Sequence, residues 1–151
     1  MHSKDLDNAG VALEKNDKIT VMTSGRSMYP MLRQHRDLAV IKRVDRDLKK
    51  GDVVLYPERN GKFIMHRIVR IQKNRYIIRG DNNYFTEKDV SPDSIIGLLE
   101  EFFRDGKYIS CESDRKYKLY VFYILHSYCI RYFLNRIIRP ILSKIKHTIF
   151  K

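Results

Sequence analysis

From Lys18 onward, short runs of β-branched and aromatic residues recur between turn-forming clusters. That spacing is the signature of strands, not helices. The runs are Ile19–Ser24, Leu38–Lys42, Asp52–Tyr56, Phe63–Ile71, Tyr76–Arg79, Ile95–Leu99 and Tyr108–Cys111. Asn60-Gly61 separates two of them and predicts a tight hairpin, because both residues tolerate positive φ. Lys73-Asn74 and Asp105-Gly106 predict two further turns, and Lys50-Gly51-Asp52 closes a polar loop before a strand. Residues 18–114 therefore predict a mainly β, mostly antiparallel domain. Residues 1–17 mix Asp5, Asp7, Glu14 and Asp17 with Lys4 and Lys15. They hold no continuous apolar core, so they do not read as a secretory signal, and they predict a flexible arm or a short helix.

The pattern changes over residues 115–151. Leu119–Ile130 carries no Lys, Arg, Asp or Glu. Beyond it, Ile130, Leu134, Ile137, Ile138, Ile141, Leu142 and Ile145 fall on one helical face. Arg131, Asn135, Arg136, Arg139, Ser143, Lys146 and His147 fall on the other. Pro140 is expected to kink that helix. The tail is predicted to be basic, amphipathic and helical.

Charge separates the same two parts. The 151 residues carry a formal net charge of +12, but residues 1–114 hold all 18 acids and a net +3. Residues 115–151 hold nine Lys or Arg and no acid, a net +9. A cationic tail points to an anionic membrane, an acidic partner or nucleic acid. Its aromatics interleave with aliphatic residues more than with basic ones, which favours packing or lipid over a base-stacking platform, so no nucleic acid is expected. An in-plane membrane helix over residues 119–151, held by anionic headgroups, is the leading expectation. A helix packed on the β domain is the alternative. A single C-terminal span through about Leu119–Leu142 would place Arg131 near the bilayer centre, at a cost of roughly 2.5–3.5 kcal/mol. No stretch offers the ~20 mostly apolar residues of an ordinary span. Cys111 and Cys129 are too few for a disulfide scaffold or a cysteine metal site and read as reduced, buried thiols. No metal or cofactor is expected.

The most informative segment is Ser24-Gly25-Arg26-Ser27-Met28-Tyr29-Pro30-Met31-Leu32. A predicted strand ends, Gly25 permits a tight turn, a serine follows, and Pro30 fixes the exit. A turn serine with backbone N–H groups nearby suits a nucleophile, whose developing oxyanion needs stabilising. Met65-His66-Arg67-Ile68-Val69 lies in a predicted strand, and Gly80-Asp81-Asn82-Asn83 follows another. Ser27, His66 and Asp81 could serve as nucleophile, base and orienting acid, since such triads arise in several chain orders. Alone, the Ser27 segment reads equally as a simple turn, while a lone strand histidine reads more readily as a core or surface residue and Gly-Asp-Asn as a turn.

Taken in order, Gly25-x-Ser27-Met28-x-Pro30-x-Leu32, Gly51-Asp52-Val53-Val54, His66-Arg67-Ile68-Val69, Gly80-Asp81-Asn82-Asn83 and Ile96-Gly97 resemble type I signal peptidases. These are grouped with the LexA-type repressor peptidases. The resemblance covers about residues 19–100 and implies a LexA/signal-peptidase-like antiparallel β domain with Ser27 as nucleophile. Most bacterial members place a lysine base where this chain has His66. The archaeal and endoplasmic-reticulum-type members have histidine there, so the chain resembles the Ser/His branch. A neutral imidazole can take the Ser27 proton near pH 7, whereas a lysine must first be desolvated. Lys62 and Lys73 are other possible bases but lie off the motif.

The acid stays open. Asp81 matches the Gly-Asp-Asn box, whereas the Ser/His branch also uses an aspartate about six residues later. That offset falls on Glu87, with Asp89 close by. The oxyanion donor is expected to be the Ser27 N–H, with Gly25, Arg26 and Met28 completing the oxyanion and substrate-binding region. The resemblance implies a serine endopeptidase that cleaves a leader or signal-type peptide or preprotein, with small residues at the cleavage site, through an acyl-enzyme. Signal peptidases of this type usually carry an N-terminal membrane anchor, which residues 1–18 cannot supply. The protein is therefore expected in the cytoplasm or peripherally on a membrane, with the tail as a possible substitute anchor. A non-catalytic peptide-binding module on the same fold and a self-cleaving LexA-like regulator are the alternatives.

Overall fold

A computed structural model of the chain describes residues 9–58, 62–134 and 138. It is mainly antiparallel β, as the sequence predicts. In chain order the elements are α1 (Ala9–Lys15), β1 (Lys18–Met22), β2 (Leu38–Lys42), β3 (Val53–Pro57), β4 (Phe63–Gln72), β5 (Arg75–Arg79), β6 (Glu87–Val90), β7 (Gly97–Arg104), β8 (Lys107–Ser110), α2 (Arg115–His126) and α3 (Tyr128–Phe133). The eight strands form one sheet in the order β1-β2-β7-β3-β4-β5-β6, with β8 on the far half of β7. The β4–β5 turn places Lys73 and Asn74 at φ 47° and 58°, and the β7–β8 turn places Asp105 and Gly106 at 48° and 81°. These left-handed pairs give the twist that a two-residue hairpin needs. The Asn60-Gly61 turn lies outside the described residues, although β3 and β4 pair up to Pro57–Phe63.

The sheet buries both faces because β3 alternates. Val53 and Leu55 join one apolar cluster with Ala39, Ile41, Leu99 and Phe102. Val54 and Tyr56 join another with Ile68, Ile78 and Leu98. Successive residues of a strand point to opposite faces, so one strand serves both clusters. The N-terminal arm contributes α1, which buries Ala9 and Leu13 in the first cluster. The C-terminal segment starts with α2, whose N-cap is Asp114, its carboxylate accepting from the Tyr117 N–H at 2.7 Å. Tyr117 and Ile124 are the buried residues of α2. The packed-helix alternative thus describes α2, while the apolar face expected from Leu134 to Ile145 lies almost wholly outside the described residues.

Two differences from the predicted strands have local causes. β7 runs through Arg104, not ending at Leu99, and the β2 register shifts between Val40 and Ile41, leaving Glu100 bulged out of the pairing. A bulge inverts the alternation beyond it, which hides the continuation Phe102-Phe103 from a period-2 reading. β6 (Glu-Lys-Asp-Val) is a four-residue edge strand with Asp89 at φ 60°, and its charged composition gives no strand signal.

A buried carboxylate anchors the loop that carries Ser27. Asp37 is fully buried and accepts from Arg33 Nη2 and Arg104 Nη2, both at 2.8 Å. Arg104 also donates to the Pro30 and Met31 carbonyls, and the Thr23 hydroxyl donates to the Asp37 and Arg33 carbonyls. Burial alone would raise the Asp37 pKa, but the hydrogen bonds from Arg33 and Arg104 hold it below the ordinary carboxylate range. Removing Asp37 leaves the part-buried Arg104 guanidinium without its carboxylate and unties the Arg33 and Arg104 ends of the loop. Asp37→Ala is therefore expected to lower stability by about 1–3 kcal/mol, read as a shift of the urea unfolding midpoint.

Candidate active site

Two neighbouring residues of β4 supply the site from opposite faces. His66 points with Ile64 and Ile68 toward the second cluster, and Arg67 points toward Met31 and Tyr117. The His66 Nδ1 lies 3.1 Å from Glu87 Oε1 on β6 and 3.1 Å from the Tyr56 hydroxyl on β3. Tyr56 is reached because it lies two residues beyond Val54, the cross-strand partner of His66, on the same face. Tyr56 also donates to Glu87, and burial together with that contact pushes its phenol pKa up, so it stays a donor. With Glu87 accepting from Nδ1–H, the lone pair of His66 sits on Nε2. Burial is the largest influence on His66 and lowers its pKa below 6.5, while Glu87 and then Asp81 oppose it. His66 is thus a neutral, oriented imidazole at pH 7, with no described side chain hydrogen-bonded to Nε2.

Arg67 is fully buried and holds Asp81. Its Nε and Nη2 donate to the Asp81 carboxylate at 2.8 and 2.7 Å, and its Nη1 donates to the Gly51 carbonyl at 2.7 Å. Tyr120 adds a third donor to Asp81 at 3.0 Å. Asp81 therefore faces Arg67, and Glu87 is the carboxylate on His66. Asp89 is exposed and one residue past Lys88 on the edge strand, where no hydrogen bond joins it to His66.

Ser27 is half-buried at the turn after β1. Gly25 has φ 78°, a left-handed conformation that favours glycine and lets the chain reverse before the serine. The Ser27 carbonyl accepts from the Asn82 N–H at 2.7 Å, and the Arg26 carbonyl accepts from Asn82 Nδ2 at 3.1 Å. Gly80 is required beneath it, because a Cβ there would lie 2.7 Å from the Ser27 carbonyl oxygen. Met28 is buried and fixes the exit of the turn in the core, while Arg26 is exposed. Neither the Ser27 N–H nor its hydroxyl bonds another described residue, and Ser27 and His66 are not hydrogen-bonded to each other. Catalytic hydrogen bonds commonly close only when substrate is bound.

A small pocket of about 80 Å³ adjoins Ser27, between Thr23–Gly25 and Met28 on one side and Phe63–Met65 on the other. Pairing of β5 with β4 begins at Arg67, so the Phe63–His66 edge away from β3 has no described strand partner. Beyond His66, Tyr56, Glu87 and Asp89 border a larger open groove of about 780 Å³. Among the described residues no group of three His, Cys, Asp or Glu side chains is placed to hold a metal ion. Cys111 is partly buried, which pushes its thiol up to about 11, whereas Cys129 is exposed, contrary to the buried thiol expected there. No family model, curated protein or solved structure matches the chain. Tyr56, Tyr120 and Arg131 were not candidates from sequence. Only the diagonal position of Tyr56 to His66 across the β3–β4 hairpin carried a usable signal.

Glu87→Gln removes the charge that opposes burial at His66. The His66 pKa is expected to fall further, moving any acid limb that it controls to lower pH. Titration of the His66 ring protons by NMR in Glu87→Gln and wild-type protein checks the direction.

Proposed function

We propose that the protein is a serine endopeptidase of the signal-peptidase-like type, with Ser27 as nucleophile, His66 as general base and Glu87 as the orienting acid. The observation that carries this reading is the oriented imidazole: Glu87 and Tyr56 lie against its Nδ1, no described side chain bonds its Nε2, and it sits on the strand whose Phe63–Met65 segment lines the Ser27 pocket. An extended peptide would add to the Phe63–His66 edge by main-chain hydrogen bonding. The 80 Å³ pocket suits a small side chain next to the scissile bond. Ser27 Oγ attacks the carbonyl carbon as His66 Nε2 takes its proton. The oxyanion is stabilised by the Ser27 N–H, whose donor is otherwise unused. His66 then protonates the leaving amine, and a water deprotonated by His66 hydrolyses the acyl-enzyme. Asp81 has a different task in this scheme: it holds the turn under Ser27.

The expected result is cleavage of leader-type peptides by the purified chain, with Ser27→Ala and His66→Ala abolishing it. In Glu87→Gln the rate should fall by about 10⁴, the loss seen when the aspartate of a Ser-His-Asp triad is replaced by its amide. Full activity in either Ser27→Ala or His66→Ala overturns the assignment. Binding of the peptides without cleavage by the wild type assigns the fold to a peptide-binding module.

The proposed site of action is an anionic membrane surface. No described helix is long and apolar enough to cross a bilayer. The outer side of α2 and α3 exposes Leu119, Phe122, Tyr123, Ile130 and Phe133, each more than half exposed. This apolar face belongs to a segment with nine cations and no acid, which suits a surface of anionic lipid headgroups. The chain is expected to sediment with vesicles containing phosphatidylserine but not with phosphatidylcholine alone, and salt should release it. Phe122→Ser should weaken that binding. Retention on neutral vesicles in high salt, or no binding to either, rules out this mode.

A further inference from the structure

We infer that α2 and α3 form the positioning element for the nucleophile, with Tyr120 and Arg131 acting through Asp81. This rests on the peptidase reading of Ser27. The path is continuous. Arg131 Nη2 donates to the Asp81 backbone carbonyl, and the Tyr120 hydroxyl donates to the Asp81 carboxylate. Asp81 lies between Gly80, which must be glycine under the Ser27 carbonyl, and Asn82, whose N–H and side chain hold the Ser27 and Arg26 carbonyls. The helices thus grip the middle of this turn at Asp81, and the nucleophile loop rests on the residues to either side, Gly80 and Asn82.

The β domain alone does not complete this grip. Arg67 supplies two donors to the Asp81 carboxylate, but Tyr120 and Arg131 come from the C-terminal helices. Arg67 is itself shared with them. Its Nη1 donates to the Tyr117 hydroxyl, and its guanidinium lies 5.8 Å from the ring centroids of both Tyr117 and Tyr120. Tyr117 and Tyr120 are three residues apart, so one helical face presents both phenols to the same buried pair. Further along, Arg79 stacks 3.7 Å from the Tyr128 ring centroid, and the Tyr128 hydroxyl donates to the Tyr84 carbonyl just after the turn. The two ends of the Gly80–Tyr84 segment are therefore both fastened to the helices. His66 and Glu87 make no hydrogen bond to this path, so two functions separate: the sheet sets the base, and the helices set the nucleophile.

Tyr120 and Arg131 are positioning residues, and their loss should displace Ser27 without altering peptide binding at the Phe63–His66 edge. The experiment uses the full chain with Tyr120→Phe, Arg131→Gln and Arg131→Lys, measured with a leader-type peptide that the wild type cleaves. Tyr120→Phe and Arg131→Gln are each expected to lower kcat by tenfold or more, since a displacement of about 1 Å can cost ~10²-fold. KM should stay within about twofold, and the pH of the acid limb should move little, because Glu87, the larger charge on His66, is untouched. Arg131→Lys, which keeps a donor for the Asp81 carbonyl, should recover part of the loss. A wild-type kcat in both Tyr120→Phe and Arg131→Gln overturns the inference while leaving the peptidase reading intact. So does a loss in KM, or in the thermal unfolding midpoint, that accounts for the whole effect. If Tyr120→Phe fails to fold, the Arg131 pair decides. No cleavage by the wild type overturns the peptidase reading, and the inference falls with it.

Discussion

The architecture depends on one buried ion pair, Arg67 with Asp81. Neither side chain reaches solvent, and the contact is bidentate at 2.8 and 2.7 Å. Desolvating two charges is costly, so such a pair is retained only where its remaining hydrogen-bonding groups are met. Here they are met by parts of the chain far apart in sequence: the Gly51 carbonyl before β3, Met31 in the Ser27 loop, and Tyr117 and Tyr120 in α2. The pair joins these three segments to β4 and to the turn after β5. Its geometry is specific because Asp81, Gly51, Met31 and Tyr117 take different N–H groups of one planar guanidinium, while Tyr120 donates to the carboxylate. A lysine at this position could not reach all of them.

The pair also explains why the two carboxylates near the site have different roles. β4 alternates, so adjacent residues serve opposite faces. His66 therefore finds its acid on β6 and Arg67 finds its acid after β5. Had Asp81 been the partner of His66, Arg67 would have been left charged and unpaired in the core. The deciding factor is the relative cost: a buried guanidinium needs a carboxylate more than a neutral imidazole does. Glu87, on a short edge strand with room for its longer side chain, is left to orient the imidazole.

Much of this was legible in the sequence, and the limits have physical reasons. The hairpins were readable because Lys73-Asn74 and Asp105-Gly106 must adopt positive φ. The Ser27 turn was readable because Gly25 and Pro30 restrict the backbone around it. The choice among Asp81, Glu87 and Asp89 was not, since it turns on which face of β4 each acid meets, and that depends on the register of β5 and β6. β6 itself was invisible: an edge strand of Glu-Lys-Asp-Val is polar to discourage further pairing, which removes the composition that would reveal it. The contribution of the tail was hidden for another reason. Tyr117, Tyr120 and Arg131 read as parts of an apolar stretch and a basic face, and only their shared target joins them.

That shared target changes what the positive charge means. A net +9 in residues 115–151 reads at first as a single cationic surface. One of those charges, Arg131, turns inward to a backbone carbonyl beside Arg67 and Arg79, where burial already lowers the Arg79 pKa and Arg131 adds to the repulsion. A cation is stable there because the Asp81 carboxylate and the Tyr128 ring lie within the same cluster. The inner side of the helices is thus committed to the Asp81 turn, and the outer side, with Leu119, Phe122 and Tyr123, is left without a described partner in the fold. An element whose two sides are assigned to different tasks cannot slide along the sheet to bury its outer residues without giving up the inner contacts. The exposed apolar face is therefore a consequence of how the Asp81 turn is held.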